Sequence, residues 1–139
     1  MSLSDISVKI KEQPTGMAYA VLHELATNLE QLLDTAEENT IDLRSLPMNE
    51  ADREELAELL GRGEVDITLN TIGSSRIFET AFSGIWWVTH YGDDAMVLSE
   101  LIEVAKVPSL IPTHTDEISV ALQRIQQVST QAMMESKDV

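Results

Sequence analysis

The side chains able to do chemistry are few and scattered. Histidine occurs three times, at His23, His90 and His114, and cysteine is absent. Without cysteine there is no thiolate nucleophile, no disulfide, no zinc ribbon and no cysteine-ligated iron–sulfur cluster. No two histidines sit at a ligand spacing such as i and i+4. A metal site would need the fold to gather them with carboxylates from Glu64, Asp66, Glu79 or Glu103. The expectation is therefore no metal, no cofactor and no catalytic residue, with His90 a partly buried, hydrogen-bonded side chain. A serine paired with His90 finds no Gly-x-Ser-x-Gly elbow to support it. Gly61-Arg-Gly63 resembles a phosphate turn, but it lacks the lysine and the following helix, and Glu64 would repel phosphate. A helix end leading into a strand is the better reading. Glu64 and Glu79 would do acid–base work only if the strands bring them together. With His90 they make up the enzyme reading that competes with a binding role; for Glu64 the preferred role is to accept backbone N–H groups at the helix end.

The aromatic side chains are concentrated instead. From Phe78 to Tyr91 the chain holds both tryptophans, both phenylalanines and one of the two tyrosines. Aromatics are only 4% of the composition, so this clustering organises the rest. Ser83-Gly84 fits a two-residue hairpin turn, because glycine tolerates positive φ. Beyond it, side chains alternate between the faces of a strand. Ile85, Trp87, Thr89 and Tyr91 share one face, and Trp86, Val88 and His90 the other. Two adjacent tryptophans cannot both enter one core. Either the sheet is covered on both faces, or one indole joins an apolar patch for a partner, since Trp and Tyr dominate such hot spots. The partner-binding candidates are Trp86, Trp87, His90, Glu79, Glu64 and Tyr91.

The elements that must position these residues follow from periodicity. From Met17 to about Glu37, Val21, Leu22, Leu25, Leu29, Leu32, Leu33 and Ala36 recur at helical spacing. Thr40 to Pro47 reads as a short strand with Ile41, Leu43 and Ser45 on one face. Asn49 is a good N-cap for a second helix ending at Leu60, with Gly61 at its C-cap. Val65, Ile67 and Leu69 alternate with polar residues in a strand that turns at Gly73. Arg76–Phe82 and Ile85–Tyr91 form the central hairpin, and Val97–Val104 is read as a further strand, although Leu98, Leu101 and Ile102 would also suit a short helix. Thr113 or Thr115 caps a last helix, striped by Ile118, Leu122, Ile125, Val128 and Ala132. Strand 41–45, helix two and strand 65–70 would make one right-handed crossover. The fold class is α+β: a mainly antiparallel sheet of four to five strands packed against about three helices. Residues 1–139 read as a single domain, with 1–14 and 135–139 mobile and Ile6–Ile10 a candidate edge strand.

The chain carries 24 acidic against 9 basic residues, a net charge of −15. That surface repels nucleic acid and anionic membranes, which call for clustered Lys and Arg. It suits solubility or a partner with a basic patch. No stretch reaches transmembrane length, and the N-terminus lacks a basic region and an apolar signal core. The expected location is the cytoplasm.

Several motifs together resemble the HupH/HyaF-type hydrogenase expression/formation proteins, in their C-terminal conserved region. They are Pro14-Thr-Gly-Met-Ala18, Val21-Leu-His-Glu24, Ile41-Asp-Leu-Arg-Ser-Leu-Pro47, Ala51-Asp-Arg53, Leu60-Gly-Arg-Gly-Glu-Val65, Glu79-Thr80, Gly84-Ile-Trp-Trp-Val-Thr-His90, and Ile102-Glu-Val104 with Val107-Pro108. The likeness runs from Pro14 to about Ile118. It implies a cytoplasmic, non-enzymatic chaperone for maturation of a [NiFe] uptake hydrogenase. The implied client is the immature iron–sulfur small subunit before export, with another maturation accessory protein as a further candidate partner; a homodimer is a candidate state that the resemblance does not itself imply. The resemblance supplies no catalytic residue.

Overall fold

The computed structural model describes residues 12–137 and divides into two compact units, Met1–Pro108 and Ser109–Val139. The expected edge strand at Ile6–Ile10 lies outside the described residues. The first unit contains helix α1 (Met17–Thr35), strand β1 (Asn39–Asp42), a 3-10 turn (Leu43–Ser45) and helix α2 (Glu50–Leu60). Strands β2 (Asp66–Thr71), β3 (Gly73–Glu79), β4 (Ile85–Tyr91) and β5 (Val97–Val104) complete it. The second unit contains helix α3 (Thr115–Lys137). The α+β class therefore holds, with a five-stranded, wholly antiparallel sheet in the order β1-β5-β4-β3-β2.

Register decides what lies inside. Trp87 stands opposite Phe78 on β3 and Ile102 on β5, and Ile102 stands opposite Ile41 on β1. Ile85 stands opposite Val104. Alternation puts all of these on one face, where they meet Ala18, Val21 and Leu25 of α1 and Leu56 and Leu60 of α2 in one buried cluster. Burying large apolar side chains is worth about 1.5–3 kcal/mol each, so this face is the main stabilising surface. The opposite face has its own buried residues, Ile77, Trp86 and Val88.

Several expectations are corrected. The crossover unit does not form: β1 and β2 are the two edges of the sheet, and β1 pairs with β5. Strand pairing there aligns Ile41 with Ile102, which buries both. The strand expected over 41–45 stops at Asp42, because the Asp42 carboxylate accepts from the Arg44 N–H at 3.0 Å and starts a 3-10 turn. Phe82 belongs not to β3 but to the connection, where the Ile85 N–H donates to the Phe82 carbonyl at 3.1 Å. Ser83-Gly84 does sit at the centre of that turn, with Gly84 at φ +90°, a conformation open to glycine. Helix α1 ends at Thr35 rather than Glu37, closed by Ala36 in the left-handed region, and α3 continues to Lys137 instead of fraying after Met134. The His114 carbonyl accepts the first N–H groups of α3.

Helix α2 starts where the sequence indicates, and the start is unusually well secured. Asn49 Oδ1 accepts from the Asp52 N–H at 2.8 Å, and Asp52 accepts from the Asn49 N–H at 3.2 Å, a reciprocal capping box. The same carboxylate accepts from the Thr15 N–H at 2.6 Å and from Thr15 Oγ1 at 2.7 Å. Asp52 thus fastens the segment before α1 to the first turn of α2. Burial alone would raise its pKa, but the hydrogen bonds from Thr15, Asn49 and Gly16 outweigh burial and hold it below the usual carboxylate range. A folded-state pKa below the unfolded one contributes stability above the unfolded value, lost as pH falls through the folded value. Asp52→Asn should therefore lower the melting temperature at neutral pH and flatten its fall below about pH 4, as pH-resolved thermal denaturation would show. An equally steep acid fall in the variant would contradict the role given to Asp52.

Candidate partner-binding site

The six candidates do not form one patch. Alternation places Trp86, Glu79 and His90 on the face opposite α1 and α2, and Trp87 on the helix face. Glu79 stands opposite Trp86, while His90 stands opposite Ser75. These register positions are four residues apart, about 13 Å along the strands. His90 is thus not gathered with Glu79. Its Nδ1 lies 2.7 Å from Ser75 Oγ, so His90 is the partly buried, hydrogen-bonded side chain expected of it. Glu64 is exposed. The Gly63 N–H donates to the Glu79 carbonyl at 2.8 Å, and a Cβ on Gly63 would lie 2.6 Å from the Thr80 backbone oxygen. Glycine is thus needed at 63 so that the chain leaving α2 can pass against the backbone at the end of β3. Among the described residues no three His, Cys, Asp or Glu side chains gather as a metal site would require.

The outward-facing indole is corrected: Trp86 is 7% exposed and Trp87 3%. Each also has its N–H satisfied. Trp86 Nε1 donates to the Ala105 carbonyl at 2.9 Å, and Trp87 Nε1 to Glu100 Oε2 at 3.1 Å. The opposite-face prediction holds, and core packing on both faces is the alternative the structure selects.

Around Trp87 lies a group of residues that sequence reasoning did not single out. Arg53 donates through Nε and Nη2 to the two oxygens of Glu100, each at 2.5 Å. Such a bidentate pair fixes orientation as well as distance. Burial by itself would raise the Glu100 pKa, but Arg53 and the Trp87 N–H reverse that and hold it below its ordinary value. Hydrogen bonding to Glu100 pushes Arg53 further up. The Arg53 guanidinium lies 6.0 Å from the Trp87 ring centre, and Phe78 stacks on Trp87 at 6.0 Å with planes 10° apart. Arg62 covers Phe78 at 3.7 Å. The result is a continuous stack, Arg62–Phe78–Trp87–Arg53, cationic at both ends. The only sequence hint was Ala51-Asp-Arg53 among the resembling motifs; Glu100 gave no signal, being 47 residues from its partner.

One open apolar surface of the first unit lies between the end of α1 and the turn before β4. Leu29, Leu32, Leu33, Asp34, Thr35, Ala36, Ser83 and Lys106 line a cleft of about 560 Å³. Phe82, on the same turn, is half exposed.

Comparison with known proteins sets these features in context. The family model described as the HupH hydrogenase expression protein, C-terminal conserved region, matches residues 16–132. The hydrogenase expression/formation protein HoxQ of Azotobacter vinelandii is 29% identical over 126 residues, 86% of this chain and 44% of that protein. The hydrogenase-1 operon protein HyaF of Escherichia coli strain K12 is 27% identical over 106 residues, 76% of this chain and 36% of that protein. The chain thus spans less than half the length of these relatives. A solved structure, the hydrogenase expression protein HupH from Thiobacillus denitrificans ATCC 25259, is 40% identical with a TM-score of 0.79, covering 86% of this chain and 98% of that one.

With both indoles buried, Trp86→Ala and Trp87→Ala should each destabilise by about 3–5 kcal/mol, through lost transfer energy and a cavity. Trp86→Phe should cost less, because it keeps most of the ring and loses the bond to Ala105. Denaturant midpoints of the three variants check this; a near-neutral Trp86→Ala would return that indole to the surface.

Proposed function

The chain belongs to the family of the HupH hydrogenase expression protein C-terminal region, and from that membership we propose that it is an accessory protein of [NiFe] hydrogenase maturation. In this reading it acts in the cytoplasm by binding the immature iron–sulfur small subunit before export, and it catalyses no reaction itself. A second maturation accessory protein would share the client. The observation that carries the reading is the family match over 16–132, joined to a 40% identical solved relative of the same name.

The side-chain chemistry supports binding over catalysis. The hydrogen bonds of the Asp52 carboxylate to Thr15 and the Glu100–Arg53 pair join one element to another and so serve the frame. The register sets His90 and Glu79 four positions apart, which weighs against the enzyme reading that would join them. A chain of net charge −15 attracts basic partners over a distance and keeps copies of itself apart. Among the described residues no helix is long and apolar enough to cross a membrane.

Co-expression of the tagged chain with the hydrogenase structural genes, followed by affinity capture, tests the proposal. The small subunit, lacking its complete set of clusters, should co-purify. Capture of the large subunit alone, or of neither, would overturn the assignment of the client.

A further inference from the structure

The cleft at the end of α1 combines two features that the helix itself does not need. The first is apolar and open. Leu33 is 86% exposed, and Leu29 and Leu32 form the floor against Gly84, where an added Cβ would lie 3.5 and 3.7 Å from their methyl groups. Leu33 and the half-exposed Phe82 lie at this cleft, and a contiguous exposed apolar patch, rather than a single exposed leucine, is what marks an interaction surface.

The second feature is electrostatic. A helix C-terminus carries partial negative charge and favours Lys, Arg or His nearby. Helix α1 has no basic residue in its last turn. It has Asp34 there, Glu30 one turn earlier, and Glu37 and Glu38 just after it, all exposed. The last carbonyls of a helix also lack helical partners. Asp34 lines the cleft together with Lys106, and Glu30, Glu37 and Glu38 stand exposed beside it in the chain, so four acids and the helix dipole outweigh one lysine around this end of α1. This arrangement works against α1 and in favour of a cationic ligand.

We propose that this cleft docks a basic, apolar-anchored peptide segment of a partner protein. A large aliphatic or aromatic side chain fills the space between Leu29, Leu32, Leu33 and Ser83. Lys or Arg residues beside it meet Asp34, Glu30 and the carbonyls ending α1. The proposal deepens the protein-binding reading above, in that the client would supply the segment.

The test is fluorescence anisotropy of the purified full chain with a short labelled peptide alternating lysine and leucine. Two control peptides carry glutamate for lysine or alanine for leucine. The basic apolar peptide should bind, more weakly as salt rises, and both controls should fail. Leu33→Ser and Asp34→Lys, at exposed positions that leave the core intact, should each weaken binding about tenfold or more. Glu58→Lys, on the exposed side of α2, should change it little. Equal loss with Glu58→Lys, no loss with Leu33→Ser, or equal binding of the glutamate control would overturn the proposal. So would a concentration-dependent dimer in sedimentation that Leu33→Ser dissolves, which would make a second copy the occupant. Peptide binding without capture of any hydrogenase subunit would sink the functional reading and keep the cleft. Subunit capture that survives both cleft variants would do the reverse.

Discussion

The carboxylate of Glu100 is the constraint on which the first unit depends. It sits on the helix face of β5, 3% exposed, where an unpaired charge would be costly. Arg53 from α2 and the indole N–H of Trp87 from β4 meet it there. Three elements are thereby fixed against one another by a group that tolerates few positions. A slip of β5 by one residue would turn Glu100 to the other face and leave Arg53 without its partner. Replacing a buried pair by apolar residues can be neutral in stability. The pair's value here is that it specifies register and helix position together, and Trp87 could not take a second orientation without losing it.

From that fixed point the rest of the unit is built outward. Asp52, adjacent to Arg53, ties the entry to α1 through Thr15, so α1 and α2 share an anchor at one end. At the other end the Ala81 N–H donates to the Leu60 carbonyl at 2.9 Å, joining the end of α2 to the β3–β4 connection. That connection carries Phe82, Ser83 and Gly84 to the end of α1. A rigid frame thus presents an acidic, apolar cleft made of exposed residues. The frame and the open surface are made of different residues, as suits a binding module.

Much of the frame was legible in the sequence, for physical reasons. Period-two alternation over Ile85–Tyr91 separated Trp86 from Trp87 correctly, since it depends only on backbone geometry. Asn49 and Gly61 marked the ends of α2 because caps are local. What was not legible was non-local. Strand pairing of Ile41 with Ile102 replaced the expected crossover, a choice set by apolar matching across 61 positions. The Arg53–Glu100 contact left no sequence signal, because a charged residue in a strand reads as surface until its partner is known. The candidate site suffered from the same limit. Of the two alternatives for the tryptophans, core packing on both faces is the one that holds, with both indoles hydrogen-bonded inside; Leu33 and Phe82, at the edge of a helix stripe and in a turn, are among the exposed apolar residues instead.

A double-mutant cycle on Arg53 and Glu100 tests the central claim most directly. Arg53→Ala, Glu100→Ala and the double variant would be compared by chemical denaturation. Because Arg53→Ala leaves the buried Glu100 carboxylate without its partner, the double variant should be less destabilised than the sum of the singles, with a coupling of about 1–3 kcal/mol. Additivity within about 0.5 kcal/mol would show that the two side chains act independently and that the frame rests on apolar packing alone.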